Sequence, residues 1–237
     1  MSEIIIAPSH HILILGKTGS GKSVASRFLF QKALMKQKNQ VMVVLDSKSE
    51  YDEITDTVRT PRDLNHWLYG EEKPMGKAIR AIPSDPEEEV AEEYLRAAWA
   101  PWADVYSGDF YEPSFGVRFW IEDAPMFYDS AYLTPKYLKK WVCQGRSLNR
   151  SAVVVSQRAQ LISKTVVAMV DHTFCFALSE YDRKRVIKEY HGETAAAAVG
   201  ALPKFGFVLL SDLYDEPIVF NPYRGPGIPK SEKGVKL

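Results

Sequence analysis

Short apolar runs rich in β-branched residues alternate along this chain with longer stretches whose apolar positions recur every three or four residues. The runs HILIL (11–15), VMVVL (41–45), KAIRAI (77–82), VRFWI (117–121), SAVVV (151–155), HTFCFAL (172–178) and FGFVLL (205–210) predict strands. The stretches 22–37, 61–69, 86–99, 135–148, 163–169 and 182–190 predict helices. In the first of these, Val24, Ala25, Phe28 and Leu29 are spaced to make one apolar helix face. Near-continuous Val/Ile/Leu strands separated by helices imply an α/β fold, a mostly parallel central sheet flanked by helices on both faces. We read residues 1–220 as one domain. The stretch NPYRGPGIPKSEKGVKL (221–237) is a Pro/Gly/Lys-rich C-terminal tail, and APWADVYSGDFYEPSFG (100–116) is a long surface connection.

Composition narrows the function. A chain of 237 residues with 46% apolar and 25% charged residues is an ordinary globular one. The 30 Lys and Arg balance 30 Asp and Glu, so any contact with a phosphate backbone must come from a local basic patch. Cys143 and Cys175 lie far apart without metal-ligand spacing, which predicts two buried thiols in a reducing compartment. No stretch reaches about 18 uninterrupted apolar residues, and MSEIIIAPSHH lacks a signal-peptide pattern. The expectation is a soluble intracellular protein with no intrinsic membrane segment.

The first strand runs into GKTGSGKS, and Gly16-x-x-x-x-Gly21-Lys22-Ser23 fits the phosphate-binding P-loop, with the required strand before and helix after. Its glycines permit backbone angles that turn successive N–H groups inward, and the helix N-terminus adds its positive dipole. Residues Gly16, Lys17, Thr18, Gly19, Ser20, Gly21, Lys22 and Ser23 are therefore expected to bind a nucleoside triphosphate, which the resemblance drawn below implies is ATP. Lys22 would meet the β- and γ-phosphates, and the Ser23 hydroxyl would join the Mg²⁺ shell.

A P-loop alone does not separate kinases, GTPases and motors. VRFWIEDAP places Glu122 and Asp123 at the end of an apolar strand, where the magnesium-side carboxylate belongs. Glu122 is assigned to Mg²⁺ through its water shell, and Asp123 to the attacking water. Gln157, at the tip of the next strand, could bond the γ-phosphate or that water.

Together these residues resemble the FtsK–HerA superfamily of DNA-pumping ATPases, a RecA-like P-loop NTPase fold, over about residues 11–210. VVLDSKSEY is similar to the D-P-K segment after the second strand, with Ser47 in place of proline. The run from Gly145 to Val186 is similar to the family's Gly-Arg, apolar strand, A-T-Q-R-P, helix, strand and D-S-R. Gln157-Arg158 match the glutamine–arginine pair, whereas Ala159 replaces the proline and the serine between Asp182 and Arg183 is missing. The acidic order also departs, Glu then Asp instead of Asp then Glu. The resemblance implies a ring, usually a homo-hexamer, with double-stranded DNA in its channel and an arginine reaching the neighbour's γ-phosphate. Arg146 is the first candidate, with Arg150, Arg158 and Arg183 behind it.

Among such motors a core this small looks like the genome-packaging ATPases of tailless, membrane-containing icosahedral viruses. That implies action in the host-cell cytoplasm, association with the virion, and docking at a capsid vertex or membrane component. Segment 134–150 carries Lys136, Lys139 and Lys140 interleaved with Tyr137 and Trp141, a candidate DNA-backbone contact. Pro135 after a threonine suits the start of that helix. The loop 124–134, directly after the acidic pair, is placed to report nucleotide state. The acidic stretch SDPEEEVAEEY (84–94) is expected to face outward, its helix opening at Asp85 and Pro86. Other readings are a cellular or plasmid DNA pump, a small-molecule kinase, and an assembly or secretion ATPase acting on protein.

Overall fold

The computed structural model describes residues 6–31, 37, 39–70, 74, 76–101, 115–128 and 133–220. The tail 221–237, the bulk of the connection 100–116, part of the loop 124–134 and the end of the first predicted helix lie outside the described residues. The strands are β1 (Ile12–Leu15), β2 (Gln40–Leu45), β3 (Thr57–Val58), β4 (Ala78–Ala81), β5 (Gly116–Ile121), β6 (Arg150–Ser156), β7 (His172–Cys175), β8 (Phe207–Ser211) and β9 (Ile218–Phe220). They form one sheet in the order β3-β4-β2-β5-β6-β1-β7-β8-β9. Pairing is parallel from β3 through β7 and antiparallel from β7 to β8 and β8 to β9.

Period-two alternation sends each central strand's side chains into two cores. Leu13, Val43, Phe119, Ile121 and Val154 enter one, which is covered by α2 (Pro61–Tyr69), α3 (Glu88–Trp99), α4 (Lys136–Gln144), α5 (Lys164–Met169) and α7 (Lys188–Gly200). Ile12, Ile14, Val44, Trp120, Val153 and Val155 enter the other, beneath α1 (Lys22–Leu29). Burial on both faces is why these strands read as near-continuous apolar runs. β3 and β9, two edge strands of two and three residues, are too short to show any period.

The helices correct several expectations. α1 buries Lys22, Ser26 and Leu29, whereas Val24 and Phe28 are 70% and 46% exposed. Its rotation is set by the polar groups it must aim at the sheet's end, and the apolar spacing is overridden. α2 starts where expected because the Thr60 side chain accepts from the Asp63 N–H at 3.1 Å and Pro61 follows it. α3 begins at Glu88, after Asp85 and Pro86. Its Glu92 does not face solvent: it accepts from the Tyr137 and Leu138 N–H groups at 2.5 and 3.1 Å and so caps α4. Burial raises the Glu92 carboxyl above its usual range, opposed by those two bonds. Thr134 instead donates to the Ser163 hydroxyl at 2.8 Å.

α4 turns Trp141 and Val142 inward, which leaves Cys143 exposed; Cys175 alone is a buried thiol. Helix continues well past 190 into the alanine-rich stretch 194–198. The short α6 (Glu180–Asp182), a π-helical turn (Arg183–Ile187) and α7 make this run, with a break at Gly192.

Two buried arginines stitch the amino ends of the strands to their surroundings. Arg118 donates to Ser151 Oγ, Gln37 Oε1 and the carbonyls of Ala7 and Pro8. Burial pulls its pKa down to about 9. Arg150, also without exposed surface, donates to the Trp99 and Phe115 carbonyls and to the Tyr69 hydroxyl. That use as an internal clamp removes Arg150 from the candidates for a charge offered to a neighbour. Arg150→Met leaves three acceptors facing an apolar chain, and we predict a loss of about 3 kcal/mol in denaturant unfolding.

Candidate nucleotide site

Strand register brings the predicted site together. Leu15 pairs with Ser156, and Ile121 with Val154, so Gly16, Asp123 and Gln157 all emerge at the carboxyl edge within about one residue step. In parallel α/β sheets this edge, beside the strand where connections diverge, is where ligands bind. The Gly16 N–H donates to the Ser156 carbonyl at 3.1 Å and Lys17 N–H to the Ala177 carbonyl at 2.9 Å. The predicted strand 172–178 thus stops at Cys175 because its last residues hold the loop.

A Cβ on Gly16 would lie 2.6 Å from Phe176 Cβ and 2.7 Å from Ser20 Oγ, so only glycine fits there. Gly21, at φ 92°, is the left-handed residue that opens α1. The loop encloses Ser20 Oγ, a buried hydroxyl with no partner among the described residues. Lys22 is 5% exposed and Ser23 is half-buried in the first turn of α1.

Glu122 is 2% exposed. Its Oε2 accepts from the Tyr51 hydroxyl at 2.9 Å, the Trp120 indole at 3.1 Å and the Ser26 hydroxyl at 3.4 Å. Concentrating three donors on one oxygen orients the carboxylate, and among the described residues no hydrogen bond falls on Oε1. Burial raises the Glu122 carboxyl above its usual range, opposed by the Lys22 charge and by the Tyr51 and Trp120 bonds. Burial and the nearby Glu122 charge push the Tyr51 phenol well up, so Tyr51 stays a donor.

Asp123 has left-handed backbone, φ 52°, and its side chain meets a different set of partners from that of Glu122. Its Oδ2 meets the Lys48 ammonium and accepts from Gln157 Nε2 at 3.2 Å. Gln157 Oε1 in turn accepts from the Thr18 hydroxyl at 2.7 Å. One chain of contacts therefore runs from the P-loop tip through Gln157 and Asp123 to Lys48.

Sequence reasoning missed Lys48 and Tyr51 as site residues, although it singled out the segment that carries them. The loop after β2 is wound around Asp46, whose carboxylate accepts from Glu50 N–H at 2.9 Å and Tyr51 N–H at 3.0 Å. That turn presents Lys48 to Asp123 and Tyr51 to Glu122, one partner for each carboxylate.

The remaining predicted residues lie elsewhere. Arg146 precedes β6, at the amino edge of the sheet, where it pairs with Asp171 at 2.9 Å and donates to the Met169 carbonyl. Arg158 is exposed on the same edge as the P-loop, and Arg183 is packed over Gly200. Lys136, Lys139 and Lys140 lie on α4, away from the P-loop. Lys140 sits 4.7 Å from the Trp99 ring centre and Lys136 5.5 Å from that of Tyr137, while Lys139 is exposed. Among the described residues no helix is long and apolar enough to cross a membrane.

A raised carboxyl makes the folded state bind protons more readily than the unfolded one, so stability falls as pH rises through the carboxylate range and above it. Glu122→Gln is therefore expected to raise the melting temperature at pH 8, with the gain shrinking as pH falls through that range. A gain that stays constant with pH would contradict this account of Glu122.

The family model described as "Helicase HerA, central domain" matches residues 6–125, from the lead-in to β1 through the acidic pair. A comparison with curated protein sequences finds no match. Among solved structures, the genome packaging NTPase B204 of Sulfolobus turreted icosahedral virus 2, in complex with AMPPCP, superposes with TM-score 0.69 at 16% identity. That match covers 90% of this chain and 98% of that one. VirB4 of Thermoanaerobacter pseudethanolicus gives 0.58 at 10% identity, covering 94% of each chain. The pCW3 conjugation coupling protein TcpA gives 0.53 at 17% identity, over 90% of this chain and 60% of that one. The matched family model spans half of the sequence, and the P-loop, acidic pair and parallel sheet are all in place: the chain belongs to the HerA central-domain family of FtsK–HerA P-loop ATPases.

Proposed function

We propose that this ATPase is a double-stranded DNA translocase that works as a homo-hexameric ring and pumps a viral genome into a preformed capsid. The observation that carries the reading is the linked chain Thr18–Gln157–Asp123, which ties the phosphate loop to the water-side carboxylate. Likeness to a packaging NTPase over nearly the whole of both chains supports the viral setting.

In this reading the P-loop binds ATP, and Lys22 lies against its β- and γ-phosphates. Ser23 and Glu122 are the residues that would hold Mg²⁺. Their oxygens suit a hard cation, and among the described residues the donors to Glu122 gather on Oε2, with no hydrogen bond on Oε1. When bound, the ion would neutralise phosphate charge. Asp123 orients water for in-line attack on the γ-phosphorus: the new P–O bond forms as the bond to the ADP oxygen breaks, and the proton leaves through Asp123. Lys48 and Gln157 fix Asp123 by the same oxygen, leaving Oδ1 toward the water. Gln157 links that event to Thr18, the hydrogen-bonded route by which loss of the γ-phosphate reaches the rest of the subunit. Arg146 serves the neighbouring subunit's phosphate by exchanging Asp171 for it at the interface.

Lys136, Lys139 and Lys140 make a weak, sequence-independent backbone contact of the kind a translocase needs. The ring docks on a capsid vertex or membrane component of the virion, in the host-cell cytoplasm. VirB4 and TcpA resemble the chain in fold, which keeps a plasmid pump or a protein-secretion ATPase as the second reading.

Steady-state ATP hydrolysis with and without long double-stranded DNA at low salt tests the proposal, with Lys22→Ala as the blank. We expect stimulation by DNA that fades as salt rises, and Arg146→Ala that binds ATP but loses most of the stimulated rate. Hydrolysis indifferent to DNA in an assembled ring would favour the protein-secretion reading.

A further inference from the structure

We propose that Phe205 is the platform on which the base of the bound nucleoside triphosphate stacks. This deepens the nucleotide-site reading above and rests on it. The sheet order places β5 and β6, which carry the acidic pair and Gln157, on one flank of β1, and β7 and β8 on the other. The γ-phosphate end must lie where Lys22, the acidic pair and Gln157 converge. The triphosphate then runs along the loop, and the nucleoside leaves it toward the β7–β8 flank.

Phe205 stands at that exit, in the turn between α7 and β8. A Cβ built on Gly21 would come 3.1 Å from the Phe205 ring, so the ring lies directly against the end of the P-loop. The side chain is 45% exposed, whereas the neighbouring half-buried Phe207 stacks on the buried Phe220 at 4.3 Å. Its backbone is left-handed, φ 65°, a conformation that a bulky residue adopts only at a cost. The turn is closed by the Gly206 N–H donating to the Pro203 carbonyl at 3.0 Å, which holds the strained residue in place. Strain spent to present an aromatic ring to solvent, beside a phosphate-binding loop, is what a ligand clamp requires.

The ring is engaged by a cation that a stacking base would replace. The exposed Lys204 ammonium sits 5.0 Å from its centre, a position that a flexible side chain gives up readily. Every nucleobase has a π-face, so stacking holds a base without reading it. The ligand class is a nucleoside triphosphate, bound more tightly than its triphosphate alone.

Isothermal titration of the wild type, Phe205→Gly and Phe205→Tyr with ATP and with inorganic tripolyphosphate tests this. Glycine removes the ring and suits the positive φ, so the variant should fold. We expect Phe205→Gly to weaken ATP about ten-fold, leave tripolyphosphate unchanged, and Phe205→Tyr to restore ATP affinity. Unchanged ATP affinity in Phe205→Gly, or equal weakening of both ligands, would overturn the platform while the nucleotide site stands. A wild type that binds neither ligand would overturn the nucleotide site itself.

Discussion

A carboxylate with almost no exposed surface, Glu122, ends the strand at the heart of the sheet, and much around it answers to that charge. A buried ion must be partnered or it neutralises itself. Here Lys22 supplies the opposite charge, and Tyr51, Trp120 and Ser26 supply hydrogen bonds to one oxygen. To deliver Lys22 and Ser26 on the same face, α1 turns Val24 and Phe28 to solvent. To deliver Tyr51, the loop after β2 closes on the Asp46 carboxylate. The site is thus built by side chains that would otherwise have been placed by packing, and the sheet carries that cost in its apolar cores.

The two edges of the sheet divide the work. At the amino edge, Arg118 and Arg150 donate to backbone carbonyls and Arg146 pairs with Asp171, contacts that tie the strands to the segments around them. At the carboxyl edge, polar groups are aimed outward from strained backbone. Of the four non-glycine residues with positive φ among the described residues, Ser49, Asp123 and Phe205 lie in loops at this edge, and Asn149 alone lies at the other. Strain of this kind concentrates where a ligand is held. Lys48, Asp123, Gln157 and Thr18 form the continuous polar path of this edge, joining loops that follow β2, β5, β6 and β1. A change at the phosphate loop therefore has a short physical route to three neighbouring strands.

The sequence made the central strands and the P-loop plain because both are dictated locally: burial on two faces yields unbroken apolar runs, and the loop's glycines are required by contact and by φ. The acidic pair and Gln157 were legible from strand ends, since the register carries them to one edge. What stayed hidden depended on contacts distant in sequence. Glu92 caps a helix 45 residues away, so the acidic segment looked like a solvated face. Arg150 looked like a free cation until Trp99, Phe115 and Tyr69 were brought round it. Lys48 and Tyr51 gain meaning only when β5 is set beside β2. Phe205 looked like the first residue of a strand, and its positive φ has no signature in a phenylalanine.

The most direct test of the central claim is a crystal structure of the protein with Mg²⁺ and a non-hydrolysable ATP analogue. The account predicts the triphosphate along Gly16–Ser23, the ion between Ser23 and Glu122, and Asp123 with Gln157 facing the γ-phosphate. A triphosphate bound with either carboxylate turned away from it, or bound away from the loop, would contradict the account.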